Sequence, residues 1–433
     1  MSTTPIGLGH FAWGVRRQAS PPVGRAALVV ATLSGAACSP ADLTTCGPGT
    51  HLDGSQCVAD QGSDTDANGG SDTDSSSDTD GALPEDTDLP PGDPDVCDDA
   101  HAAWPRLQPA VDAAKNGATL WVCPGTYSFV VIEGKTITLR STEGADVTSI
   151  AGTTSHPAVS VDTAAVVLAG FTLTATIGDG NDPVAALKVD ASTVTLAHSR
   201  VASVTSGAFD VDLVRADQSS LTLNDVVMEG NRFHGYLLVS QYGTLNVQKS
   251  VFRDNAKDAG AAPGAIRLLD STATIENNLV VNNALGSPAL GIADDAPSSR
   301  RIRVAHNTFQ GNAFTGAFGM SSVIQAGPLD PEIVDNIVEG NDQAYGIVTT
   351  VRAPSNIQYN LAYNNHGGKD FSFALGATHN ISEDPLFVDA GRGDFHLDPA
   401  SPARDAGTPG AAANDVDGTR SDIGAYGGKD ANW

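Results

Sequence analysis

Six asparagines, Asn231, Asn255, Asn283, Asn312, Asn341 and Asn365, each stand eight residues after an apolar residue in a short alternating run. Those anchors are Leu223, Val247, Ile275, Val304, Ile333 and Ile357. The offset is constant, while the step between successive anchors varies from 24 to 29 residues. A fixed offset inside a variable period marks stacked repeats joined by loops of changing length. Leu139, Leu168 and Leu196 extend the series towards the N-terminus. A second apolar residue usually sits two before the anchor, as in Val194, Leu221, Leu245 and Ile302, so both point to one face of a strand. A third lies four after it, at Val227, Val251, Leu279, Ile337 and Leu361. Each repeat is too short to enclose a core and too strand-rich for a helical solenoid. Coiling the chain buries each repeat's inward residues on its neighbours. The expected fold is all-β, a single-stranded solenoid of parallel strands with about ten coils.

One helix is expected before the strands begin. Leu107, Ala110, Val111 and Ala114 have the spacing of one helical face, with Asn116-Gly117 as a stop. Pro109 is expected to delay its start. This short amphipathic helix caps the open end of the stack. Elsewhere, 46 glycines, 24 prolines and 6% aromatics favour short strands and turns.

The charge of −27 is uneven. No Lys or Arg lies between Arg25 and Arg106, and residues 60–99 carry 14 acids. That stretch, with SDTDANGGSDTDSSSDTD at its centre, is too polar and self-repelling to fold and reads as a disordered linker. Residues 100–433 hold 35 acids and 21 bases. This gives no basic footprint for nucleic acid.

The N-terminus reads as an export signal over 1–37. Arg16, Arg17 and Arg25 precede the apolar stretch Ala26–Ala37, which is too short to span a bilayer. Cys38 follows small residues and resembles the acylated cysteine of a bacterial lipobox, although Gly35 stands where leucine is usual. Five cysteines are odd for an exported chain. Pairing Cys46 with Cys57 and Cys97 with Cys123 leaves Cys38 for a lipid anchor. The organisation is therefore a signal at 1–37, a Cys-bracketed segment at 38–59, a linker at 60–99, a β-helix at 100–375 and a closing segment at 376–433. The expected location is the cell envelope or the exterior, with membrane contact only through the lipid, and the expected state is a monomer.

The nine anchors and the opening PAVDAAKNGATLWVCPGTYS resemble the right-handed parallel β-helix of pectin-lyase-like proteins. The ending is similar to the closing segment of a family of secreted and surface-anchored bacterial β-helix proteins. It reads DPLFVDAGRGDFHLDPASPARDAG and then DVDGTRSDIGAYGG. The resemblance covers roughly residues 104–427 and implies a right-handed coil.

In such a stack, equal offsets become columns, and three columns carry polar chemistry. Asn278, Asn307, Asn336 and Asn360 lie three after their anchors and, with the six asparagines above, form two structural ladders. Asp162, Asp190 and Asp217 lie six before theirs, with Asp270 one position off. They read as turn residues, or as calcium ligands if stacked carboxylates need a cation between them. His198, Asp225, Lys249, Asn277, His306 and Asp335 lie two after their anchors, and this mixed stripe is expected to face solvent. Polysaccharide lyases of the resembled fold use calcium carboxylates with a Lys or Arg base, and its hydrolases pair aspartates. The resemblance therefore makes His198, Asp225, Lys249, His306 and Asp335 catalytic candidates. Asp294 and Asp295, followed by Arg301-Ile302-Arg303, faintly resemble the paired aspartates and basic motif of polygalacturonases. That family's Asn-Thr-Asp triplet and Gly-His-Gly turn are missing. Asp415-Val416-Asp417-Gly418 looks like the start of a calcium loop, but no closing glutamate follows, so a turn is expected.

Two functional readings result. The first is a displayed β-helix scaffold that binds glycan or a surface partner and needs no cofactor, with calcium as an option. The alternative is a polysaccharide lyase or glycosidase acting on an acidic polysaccharide. Carboxylates and a base converging in one groove across adjacent coils would favour the alternative.

Overall fold

The computed structural model describes residues 50–53, 56–59, 96–97, 106–176, 184–205, 211–258, 264–293, 300–315, 321–327, 331–349, 356–372 and 378–431. The chain divides into two units, Met1–Gly81 and Ala82–Trp433. In the first, strands Thr50–Asp53 and Gln56–Ala59 pair antiparallel. The export segment, Cys38, Cys46, nearly all of the acidic linker, Asp294 and Asp295 lie outside the described residues.

The second unit is a parallel β-helix. Its anchors stack one on the next in register: Leu139, Leu168, Leu196, Leu223, Val247, Ile275, Val304, Ile333 and Ile357. Leu120 adds a further rung beneath Leu139. Each coil has three faces. The first carries the anchors. The second carries strands such as Thr148–Gly152, Val251–Arg253 and Ile337–Glu339, and runs on from the first to make one 18-stranded sheet. The third is a separate sheet of ten strands, from Val130–Glu133 to Phe371–Ser372. Inward residues alternate along each strand and are buried, including Leu168, Leu196, Phe252, Phe309 and Val338.

The corners explain the polar columns. Two residues after each anchor from Leu196 to Ile357 the backbone turns through the left-handed region, with φ from 45° at His198 to 58° at Asp335. That turn separates the first face from the second. The next residue then reaches along the axis. Asn307 Oδ1 accepts the N–H of Asn278, and Asn307 Nδ2 donates to Asn336 Oδ1 at 2.9 Å. Asn336 does the same to Asn360, and Asn360 to Asn380. At the second corner, Asn231, Asn255, Asn283, Asn312, Asn341 and Asn365 form a like ladder, which ends on Asp370 Oδ1. These side chains satisfy turn N–H groups that would otherwise be buried without partners. Serines do this at the third corner, where Ser192 Oγ accepts from Ala164 and Ser219 Oγ from Ser192.

The cap helix spans Leu107–Ala113 and buries Leu107, Ala110 and Val111 on the first coil. Pro109 does not delay it. Pro109 falls inside the first turn, where its missing N–H would have had no helical partner in any case. Lys135 Nζ donates to the carbonyls of Val111, Asp112 and Ala114, neutralising the C-terminal end of the helix. A disulfide joins Cys97 to Cys123 beside this cap.

Candidate functional site

The mixed stripe of corner residues does not face solvent along its whole length, because residues 378–431 lie across half of it. Asn277 Nδ2 donates to the carbonyls of Ala425 and Gly427. Asp335 Oδ1 accepts the N–H of Thr408 at 2.7 Å, and the Asp335 carbonyl accepts that of Gly424. Gly428 covers the ring of His306, and a Cβ there would lie 2.9 Å from Nε2. Gly424 is as constrained, since a Cβ would meet Ile337 at 2.7 Å and its φ is 109°. Three successive corner residues thus hold the closing segment, and its glycines are required by the close approach.

Outer apolar residues complete this dock. Leu279 and Val281 pack with Phe395 and Ala425, and Ile337 and Leu361 with Ala403 and Ile423. The apolar column four after the anchors therefore lies on the outside of the second face, and its members Val251, Leu279, Ile337 and Leu361 are covered by the closing segment.

Burial changes the chemistry of the covered corner. Asp335 is fully buried, and burial pushes its carboxyl up to about 6. Burial, with Arg303 close by, holds His306 down at about 4. His306 Nε2 lies 3.5 Å from Asp335 Oδ2. His306 Nδ1 and Asp335 Oδ2 have no hydrogen-bond partner among the described residues.

The other half of the stripe is open. His198 Nδ1 lies 2.7 Å from Asp225 Oδ2 of the next coil, and both side chains are exposed. Arg200 bridges Asp146 and Glu229, each at 3.1 Å, and Glu229 also holds Arg253 at 2.6 Å. A cleft of about 250 Å³ contains His198, Arg200, Asp225, Glu143 and Asp146.

A cleft of about 530 Å³ lies on the first face beside the closing segment. It is lined by Arg300, Arg301, Ile302, Glu332, Val334, Asn356, Gln358, Tyr359 and Thr408. Arg300 pairs with Asp270 at 2.7 Å, while Arg301 reaches Glu332 only at 3.6 Å and remains 82% exposed. Tyr359 stacks on His379 and lies under the Arg420 guanidinium, which donates to the Gly407 carbonyl. Arg303 bridges Glu276 and Glu332 in the wall between this cleft and a second one of about 340 Å³ that contains His306 and Lys429.

The aspartate column is real as a register: Asp162, Asp190 and Asp217 stack on successive rungs. Two of the three have a protein cation beside them, with Lys188 3.8 Å from Asp190 and Arg215 2.8 Å from Asp217. Asp270 is outside the column and is itself a corner residue, with φ 48°. Among the described residues, no three His, Cys, Asp or Glu side chains come together in a way that would hold a metal ion. Asp417 Oδ1 accepts both the N–H and the hydroxyl of Thr419, which closes the Asp415–Gly418 stretch into a turn.

Three groups were missed from sequence: the Asn356, Gln358 and Tyr359 wall, Thr408, and the docking role of Asn277. The available signal was the outer apolar column, which a plain solenoid would not need.

No family model matches the sequence, and no curated protein matches it. Solved structures similar to it include a pectate lyase at 14% identity and TM-score 0.42, covering 73% of this chain and 89% of that one. A pectin methylesterase from Aspergillus niger matches at 15% and 0.34, covering 55% and 89%. The A-module of a mannuronan C-5 epimerase from Azotobacter vinelandii matches at 14% and 0.27, covering 64% and 94%. At these identities the likeness assigns no ligand and no residue role to this chain.

Proposed function

We propose that this protein is an exported, envelope-displayed β-helix that binds an acidic polysaccharide in the cleft of Arg300 and Arg301. Cys38 carries the lipid anchor, and the acidic segment at 60–99 holds the β-helix away from the surface. The supporting observation is the cleft itself. On a chain of net charge −27, two neighbouring guanidiniums face an open groove with amide side chains and an aromatic ring. Guanidinium forks suit carboxylates, and amides suit sugar hydroxyls. The groove's own carboxylate, Glu332, lies to one side of Arg301.

One observation favours the alternative, a lyase or glycosidase. His198 is oriented by Asp225 within an open cleft that also holds Arg200 and Asp146. A carboxylate-oriented imidazole is a competent general base. Binding is preferred because Arg301 stands 82% exposed with Glu332 only at 3.6 Å, whereas Arg200 is held between two carboxylates.

Retention of the protein in gels containing uronic-acid polymers, run beside assays for new reducing or unsaturated ends, separates the readings. Retention without new ends supports binding. New ends lost in His198→Gln support the enzyme. No retention and no new ends on any acidic polymer contradict both.

A further inference from the structure

The outer surface of the first face carries an array that neither reading uses. One column runs Thr136, Ala165, Thr193, Ser220, Thr244, Thr272, and beside it runs Thr138, Val167, Thr195, Thr222, Asn246, Thr274. These pairs stack in unbroken register with no bulge. Every one of the twelve points away from the core, alternating with buried residues such as Val194, Leu221 and Leu245. Eight are threonine, and none is charged on a chain of net charge −27. The threonine hydroxyls make no hydrogen bond to other described residues.

We propose that this face binds ice. Successive rungs lie ~4.8 Å apart, and alternate residues along a strand lie ~6.6 Å apart. Tetrahedral hydrogen bonding with oxygens ~2.8 Å apart places second-neighbour oxygens ~4.5 Å apart and repeats every ~7.3 Å along the axis of the lattice. The hydroxyl grid is therefore within ~0.3 Å per rung and ~0.7 Å along the strand of ordered water. Four successive rungs, from Thr193 to Thr274, carry hydroxyl or amide groups at both positions, so the accumulated misfit stays near ~1 Å. Threonine is stiff about χ1, which fixes methyl and hydroxyl without further ordering cost. Ser192 and Ser219, bonded along the axis at the adjoining corner, hold those rungs together.

The lack of charge selects the partner. A charged side chain would organise its own hydration shell, whereas these twelve positions present only methyls, hydroxyls and amides, and charge in the neighbouring outward column is confined to its ends, Arg140 and Glu276. A neutral glycan is the less suited occupant, because these two columns hold no aromatic ring for a sugar face to stack on.

The test grows ice slowly from a dilute solution of the purified full chain and measures protein in ice and liquid. Wild type is expected to concentrate in the ice. Thr195→Lys/Thr222→Lys is expected to be rejected into the liquid with its melting temperature unchanged, and Arg301→Gln to behave as wild type. Should the double variant melt earlier, Thr193→Lys alone, at an exposed position, takes its place. Rejection of wild type overturns the proposal. So does equal enrichment of wild type and variant, and so does neutral-glycan binding at these threonines without ice enrichment.

Discussion

His306 Nε2 lies 3.5 Å from Asp335 Oδ2 on the following coil, and the closing segment shuts both from solvent. Their protonation shifts are opposed. Asp335 is raised to about 6 in the fold, so its contribution is present below its unfolded value of 3.8 and is lost as pH rises through about 6. His306 is lowered to about 4, so stability falls as pH drops from 6.5 towards 4. Between those limits the folded and unfolded pair hold nearly the same number of protons, and the pair gives little net slope.

Each partner alone restores a slope of opposite sign. Relative to wild type, His306→Gln is expected to gain stability from pH 7 to pH 4.5, and Asp335→Asn to lose it. Each change is on the order of 2 kcal/mol by denaturant unfolding. Slopes of the same sign in both variants would refute the opposed assignment.

Asn307 links three coils. Its Oδ1 accepts from both the backbone and the side chain of Asn278, and its Nδ2 reaches the Ile275 carbonyl and Asn336. Asn307→Leu leaves those buried groups unpaired and is expected to cost about 3 kcal/mol. An unfolding midpoint equal to wild type would show that the ladder contributes nothing.

Removing residues 378–433 uncovers Leu279, Val281, Ile337 and Leu361 as one apolar strip. The shortened protein is expected to bind a hydrophobic dye and to self-associate in light scattering. Leu279→Ala in the full chain should cost about 2 kcal/mol. A soluble, dye-negative truncation would mean that the closing segment does not protect this strip.

Lys188 and Arg215 already serve Asp190 and Asp217. A chelator should therefore leave the melting temperature unchanged. A fall on chelation that calcium reverses would place the cation back among these aspartates.

Periodicity made the coil legible, because inward residues, corner residues and ladder asparagines all recur at fixed offsets from Leu139 to Ile357. The same regularity hid the site. Asn277, His306 and Asp335 occupy the same offset as His198, Asp225 and Lys249, and nothing local distinguishes those covered from those open. Coverage depends on Thr408, Gly424 and Gly428, more than 70 residues after Asp335 in sequence. Long-range docking leaves only the unexpected apolarity of Leu279, Ile337 and Leu361 as its trace. Pro109 misled for a simpler reason: helix breakers are tolerated in a first turn.

The most direct measurement is calorimetric titration of the purified protein with a uronic-acid oligosaccharide, for wild type and for Arg300→Gln/Arg301→Gln. Losing two charge-assisted contacts should weaken binding about tenfold or more, with the melting temperature held. Equal affinity in the two proteins, or no heat from either across acidic oligosaccharides, would contradict the assignment of this cleft.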